Sequence, residues 1–264
     1  MLKINGVYKT FNIGTVNEKK ALNGVDLNLK EGDFVTIIGG NGAGKSTLLN
    51  SICGVFPVDK GSIVIDGTDI TKLPEHKRAS YLGRVFQDPM MGTAADMQIA
   101  ENLSLAYRRG QKRRLKWAMP KKELAMYKEM VAHLGLGLEE RMTTKVGLLS
   151  GGQRQALTLL MAVMKRPRLL LLDEHTAALD PKTAATVLTL SQKFIDEDHL
   201  TAMMITHNMK DAINYGNRLI MMHEGRVIFN VEGEEKKKLT VEDLLKKFAD
   251  ISGSEFANDR TLLN

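Results

Sequence analysis

The chain has 264 residues, 43% of them hydrophobic and 26% charged, a balance that builds a sizeable core and excludes a disordered or collagen-like chain. Lysine and arginine outnumber aspartate and glutamate by 37 to 31, a net charge of +6 that suits nucleic acid, an anionic surface or a phosphorylated ligand and selects none of them. Cys53 is the single cysteine, so no intrachain disulfide staples the fold and a reducing compartment such as the cytosol is expected. No apolar run approaches the ~18 residues that cross a bilayer, and the first six residues lack the apolar centre of a secretion signal. Along the chain, strands are expected over 2–8, 25–29 and 34–38. Val25, Leu27 and Leu29 alternate with Asp26 and Asn28, the period of a half-buried strand. Phe34–Ile38 is continuously apolar and β-branched, as in a strand buried on both faces. A glycine cluster follows, then a helix over 46–52 and a strand and turn over 62–67. From 97 to about 135 helical signals dominate, with Leu103, Leu105 and Ala106, then Leu124, Met126, Tyr127, Met130, Val131 and Leu134. Within it the basic run 108–116 reads as a solvated segment, with a binding patch as the alternative. Helical spacing returns over 153–164, and strand character at 169–172 and 202–205. Residues 219–222 and 226–229 bracket His223-Glu224-Gly225 as a hairpin. A short helix over 241–248 and a loose last dozen residues end the chain. This order predicts an α/β sheet with a separate all-helical lobe.

Three segments carry chemistry. Gly39-Gly40-Asn41-Gly42-Ala43-Gly44-Lys45-Ser46 fits the pattern G-x-x-x-x-G-K-[ST], with a buried strand before it and a helix after it. Glycines let successive N–H groups converge on a polyphosphate, and the helix start adds its positive end. Lys45 is then placed for the β- and γ-phosphates, and the Ser46 hydroxyl for Mg²⁺. Second, four leucines at 169–172 run into Asp173-Glu174, which sets two carboxylates at the C-terminal edge of a sheet. Asp173 is the candidate for Mg²⁺ and Glu174 the candidate general base that polarises the attacking water. Third, Leu149-Ser150-Gly151-Gly152-Gln153 opens a helix with a serine N-cap and two glycine amides, a second anion site in one chain. One nucleotide does not need both, so this one is expected to serve the nucleotide of another copy.

Together with Gln87 in Val85-Phe86-Gln87-Asp88, Ala178-Leu179-Asp180 and Thr206-His207, these segments resemble the ATP-binding cassette (ABC) family, in the family's order and over nearly the whole chain. The resemblance implies an α/β phosphate-loop NTPase fold with a RecA-like core, an N-terminal antiparallel β-subdomain and an inserted α-helical subdomain. One cassette would span 1–264, with the core in 1–90 and 165–240, the helical subdomain in 91–164 and a tail in 241–264. ATP and Mg²⁺ are the implied cofactors. The loop residues 39–46 and Thr47 would contact the nucleotide, and Gln87 would join the Mg²⁺ and attacking water to the helical lobe. His207 would meet the γ-phosphate, and Asp180 would lie at a dimer seam. Phe11 resembles the aromatic that stacks on adenine, with Tyr8 as the competitor. His175 departs from the family, which usually has proline there; a structural role is favoured over metal ligation or a local pH effect. Gly40 is unusually permissive for the second loop position.

The family mechanism implied is a head-to-tail dimer that sandwiches two ATP molecules between phosphate loops and signatures. Implied partners are a second ABC subunit, transmembrane permease subunits docked over 88–102, where Met90, Met91 and Met97 offer adaptable apolar contact or, equally well, core packing, and an extracytoplasmic solute-binding protein. That places the chain peripherally on the cytoplasmic face of the membrane, driving uptake of a small organic solute such as an amino acid, with no nucleic-acid partner. A soluble ABC ATPase acting on nucleic acid or the ribosome is the rival. Its usual marks, two cassettes or a long coiled coil, are missing from this sequence.

Overall fold

The computed structural model describes residues 1–111 and 119–252. In chain order its strands are β1 (Leu2–Phe11), β2 (Lys19–Leu29), β3 (Phe34–Ile38), β4 (Lys60–Ile65), β5 (Thr68–Asp69), β6 (Leu82–Val85), β7 (Leu169–Asp173), β8 (Thr201–Ile205), β9 (Arg218–His223) and β10 (Arg226–Glu232). The α-helices are α1 (Lys45–Cys53), α2 (Glu75–Arg78), α3 (Ile99–Tyr107), α4 (Lys121–Ala132), α5 (Gly151–Val163), α6 (Pro181–Glu197), α7 (Met209–Asn214), α8 (Gly233–Lys237) and α9 (Val241–Ser252). The chain divides into two compact units, residues 1–78 with 200–264, and residues 79–199.

In the first unit an antiparallel sheet has the strand order β2-β1-β4-β5. Leu2, Ile4 and Val7 of β1 bury the same face as Leu27 and Leu29 of β2 and Ile63 and Ile65 of β4. The alternation read at Val25, Leu27 and Leu29 is observed, with Asp26 and Asn28 exposed. Four further strands run in the order β10-β9-β3-β8. β3 is parallel to both β8 and β9, all five of its residues are buried, and β9 turns back into β10 as the expected hairpin. Helices α7 and α9 cover one end of these strands through Met209, Ala212, Leu244 and Phe248, packed with Ile38, Leu219 and Met221.

In the second unit β6 and β7 pair in parallel, with Val85 opposite Leu172. Leu169 through Leu172 are completely buried. The helices of this unit include α5, whose residues 155–160 are all buried, and α6. The long helical stretch expected from 97 starts at Ile99, after a loop over 93–98 whose Gln98 forms a bridge with Lys145, and is present as two separate helices, α3 and α4. Leu105 and Leu124, read as part of its apolar face, are exposed. Of the basic run 108–116, residues 112–116 lie outside the described residues, as does the C-terminal stretch from 253. Among the described residues no helix is long and apolar enough to cross a membrane.

Candidate nucleotide-binding and catalytic site

In the first unit the sheet edge after β3 carries the phosphate loop. Gly39 has φ 152°, and a Cβ built there would lie 2.2 Å from the Met222 carbonyl oxygen. Gly44 has φ 97°, and its Cβ would meet the Ala21 carbonyl oxygen at 2.4 Å. A side chain at either position would push the loop off β9 and β2, so packing as well as backbone conformation demands glycine. The loop is held from outside by the β9–β10 turn. Gly225 N donates to the Ala43 carbonyl at 3.0 Å, and Asn23 N donates to the Gly225 carbonyl at 2.9 Å.

Lys45 is buried, and its Nζ donates to the Gly39 and Gly40 carbonyls at 2.7 and 3.2 Å. The loop thus wraps around the ammonium. Gly44 supplies the N-cap of α1 without a side-chain oxygen, so the first amides of the helix are left to meet an anion. Asn41, Gly42 and Ser46 are exposed, Thr47 is half-buried, and Gly40 and Ala43 are buried. The far end of α1 is fixed by Arg78, whose Nη1 donates to the Ser51 and Ile52 carbonyls at 2.7 and 2.9 Å. Parallel pairing puts Ile37 opposite Ile205, so the loop after β3 and His207 after β8 leave the same sheet edge. Thr206 N donates to the Ile37 carbonyl, and Asn208 caps α7 through Asp211 N. His207 is half-buried between these anchors.

Phe11 ends β1, half-buried, with its ring 5.1 Å from Phe56 in an edge contact. Tyr8 is 41% exposed and lies against Gly24, where a Cβ would meet its hydroxyl at 2.8 Å.

In the second unit β6 and β7 end level with one another, which brings Gln87 and the pair Asp173-Glu174 to one edge. Arg84 Nη2 donates to Asp173 Oδ2 at 3.0 Å with both side chains largely buried, and the guanidinium stacks 4.4 Å from the Phe86 ring centroid. Glu174 adopts φ 47°, a left-handed conformation that is uncommon for a residue with a side chain. His175 is 2% exposed, and its Nε2 lies 3.0 Å from Ser191 Oγ on α6. Ser191 Oγ donates its own proton to the Val187 carbonyl, so His175 must be the donor and carries its proton on Nε2. Burial pushes its pKa down to about 4, so the ring is neutral and structural, as the sequence reading favours.

The signature turn forms a reciprocal cap. Ser150 Oγ accepts from Gln153 N at 3.3 Å, and Gln153 Oε1 accepts from Ser150 N at 3.2 Å. Gly152 faces α6, and a Cβ there would lie 2.1 Å from Thr183 Cγ2; at Gly151 the nearest atom is Leu179 Cδ2 at 3.4 Å. Asp180 caps α6 by accepting from Thr183 N at 3.1 Å, and the Thr183 hydroxyl and amide hold its carboxyl below the usual range. Gln155 Nε2 donates to the Phe86 carbonyl at 3.1 Å, tying α5 to the segment that carries Gln87.

Sequence reading missed three supports of these sites: Gly225, Arg78 and Arg84. The first two act across long sequence separations with no local pattern. Arg84 could have been noticed as a cation inside an otherwise apolar strand.

Residues 22–177 match the family model described as ABC transporter. A tyrosine transport ATP-binding protein of Clostridioides difficile strain R20291 is 44% identical over 248 residues, 94% of this chain and 98% of that protein. The phosphonates import ATP-binding protein PhnC 2 of Cupriavidus metallidurans is 32% identical over 279 residues, 99% of this chain and 93% of that protein. Among solved structures, the dimeric post-hydrolysis state of the cassette MJ0796 bound to ADP and Pi aligns with a TM-score of 0.75 at 30% identity, covering 88% of this chain and 98% of that one. The ADP conformation of the cassette MJ1267 aligns with a TM-score of 0.78 at 28% identity, covering 94% and 98%. The α/β phosphate-loop cassette expected from the sequence is the fold observed. The chain belongs to the ABC transporter family, as an ATP-hydrolysing cassette.

Proposed function

We propose that this chain is the ATP-hydrolysing subunit of an importer. It would pair head to tail with a second ABC subunit and work at the cytoplasmic face of the membrane beneath separate permease subunits. The observation that carries the nucleotide reading is the phosphate loop itself, with Lys45 enclosed by the Gly39 and Gly40 carbonyls ahead of an uncapped helix start. Uptake is supported by the names of the relatives, which concern transport of tyrosine and import of phosphonates; a branched-chain amino acid transport ATP-binding protein of Archaeoglobus fulgidus is 32% identical over 234 residues. We favour an amino acid as the cargo, delivered by an extracytoplasmic solute-binding protein. Exposed Met90 and Met91, on the single turn Pro89–Gly92 capped by Asp88, would form part of the permease-facing surface within 88–102.

In this reading Lys45 and the amides of residues 39–47 bind the ATP phosphates, Phe11 stacks on adenine and His207 meets the γ-phosphate. Ser46, Gln87 and Asp173 offer hydroxyl, amide and carboxylate oxygens, the hard donors that Mg²⁺ prefers. Bound Mg²⁺ would neutralise charge developing on the β- and γ-phosphates. Glu174 takes a proton from the attacking water, and its left-handed backbone, followed by the anchored His175, holds the carboxylate at the end of β7. Ser150, Gly151, Gly152, Gln153 and Asp180 would address the nucleotide of the partner copy. Closing on ATP and parting after hydrolysis is then a two-state stroke biased by the γ-phosphate.

The test is a pair of variants. Glu174→Gln should bind ATP like the parent while hydrolysis falls by about a hundredfold or more. Lys45→Ala should lose nucleotide affinity by calorimetry. Full turnover in Glu174→Gln refutes the base assignment, and unchanged affinity in Lys45→Ala refutes the loop assignment. Co-purification with a polytopic membrane protein supports transport, whereas tight, salt-sensitive binding to RNA or DNA supports the rival.

A further inference from the structure

We propose that Lys19 is a second cationic contact for the nucleotide's phosphates, reaching the phosphate loop at Gly42. This rests on the nucleotide reading of the loop. Lys19 opens β2 directly opposite Phe11, the candidate adenine platform, in the β1–β2 pairing. Its side chain extends to the exposed crest of the loop, where a Cβ built on Gly42 would lie 3.1 Å from Lys19 Nζ and 4.0 Å from Cε. One residue thus joins the strand position paired with the adenine platform to the loop that would hold the polyphosphate.

The electrostatics agree. Nearby carboxylates are committed elsewhere: Glu18 Oε2 accepts from Gly14 N at 2.9 Å, and Asp59 accepts from Lys9 Nζ at 3.0 Å and from Thr10 N at 2.6 Å. Among the described residues Lys19 has no ion-pair partner. An exposed ammonium reaching the Gly42 crest of the loop, with no ion-pair partner among the described residues, is an arrangement that a polyphosphate completes. The hairpin tip that aims it is closed by its own bonds, with Thr15 N and Oγ1 donating to the Asn12 carbonyl at 3.1 and 2.8 Å and Glu18 N donating to the Thr15 carbonyl at 3.1 Å. The start of β2 is pinned to the loop as well, since the Ala21 carbonyl oxygen is the atom that forbids a Cβ on Gly44. Lys45 grips the loop from within through main-chain carbonyls, so the two lysines are not redundant.

The experiment is calorimetric titration of the full chain with ATP and with ADP at low and high salt, comparing the parent with Lys19→Met, Lys19→Arg and Lys20→Met. Lys20 is the control: it carries the same charge one residue on, where a strand's side chain points to the other face. Lys19→Met should weaken both nucleotides by roughly fivefold to tenfold at low salt, the scale of one charge-assisted contact discounted for exposure. The deficit should shrink as salt screens the contact. Lys19→Arg should keep most of the affinity, and Lys20→Met should match the parent. Affinity within twofold of the parent in Lys19→Met, or an equal loss in Lys20→Met, overturns the proposal while leaving the loop assignment intact. A parent that binds neither nucleotide overturns both.

Discussion

Gly152 separates packing from ligand contact within the signature turn. An alanine Cβ at this position would sit 2.1 Å from Thr183 Cγ2, where carbon atoms in contact prefer about 3.5–4.0 Å. Helix α5 must therefore move away from α6 by roughly 1.5 Å, and overpacking of this kind costs about 1–3 kcal/mol. Alanine recovers at most about 1 kcal/mol of helix propensity, and less in the first turn. The sum leaves Gly152→Ala about 1–2 kcal/mol less stable, a fall of roughly 2–4 °C in melting temperature for a chain of this size. Thr183→Ser removes only the offending methyl and keeps the hydroxyl beside Asp180. The nearest remaining Thr183 atoms, Cβ at 3.5 Å and Oγ1 at 3.8 Å, make ordinary contacts, so the double variant should regain the stability of Thr183→Ser alone. Gly151→Ala, whose Cβ meets Leu179 Cδ2 at 3.4 Å, should hold its stability within about 0.5 kcal/mol while losing ATPase activity if, as proposed, Gly151 contacts a partner's nucleotide. Urea denaturation of the four variants decides the matter. A fully stable Gly152→Ala, or a loss that persists undiminished beside Thr183→Ser, refutes the reasoning.

Two further predictions concern buried polar groups. His175 takes up its proton near pH 4 in the folded chain and near 6.5 when unfolded, so the unfolded state binds more protons between those values and stability falls as pH falls through that window. From pH 7.5 to 5 this amounts to about 2 kcal/mol; urea titrations of His175→Phe should lack that component, and an unchanged acid limb would contradict it. Lys236 is buried, and its Nζ donates to the carbonyls of Ile213, Tyr215 and Gly216 at the end of α7. Lys236→Met leaves these acceptors without their charged donor and should destabilise the chain by about 2–3 kcal/mol in urea; a neutral result would show that water replaces the ammonium.

Much of this molecule is legible in its residues because local chemistry and tertiary structure agree. Phe34–Ile38 forms the strand its composition predicts because it is buried on both faces, and the four leucines before Asp173 do the same. Strand ends shifted where pairing extends past the apolar core: β1 runs on to Phe11 and β2 starts at Lys19, since each supplies backbone partners to the other in a solvent-exposed ribbon. The strand β6 was overlooked because it is four residues long and interrupted by Gly83 and Arg84, whose fitness depends on Ala162, Pro167 and Asp173 far along the chain. Helix α6 opens on Asp180 and Pro181, a plain N-terminal signal, so Asp180 is a helix cap as well as a candidate seam residue. The roles of Gly39, Gly44 and Gly152 in close packing could not be read from sequence, since the atoms that exclude a side chain belong to Met222, Ala21 and Thr183.

The account turns on each nucleotide being served by two copies of the chain. Its most direct test is the specific ATPase rate measured across protein concentration, from dilute monomer to the range where copies associate. The account predicts a rate per chain that climbs with concentration and levels off, with Gly151→Ala chains poisoning the parent when mixed. A rate per chain that stays constant down to verified monomer would contradict it.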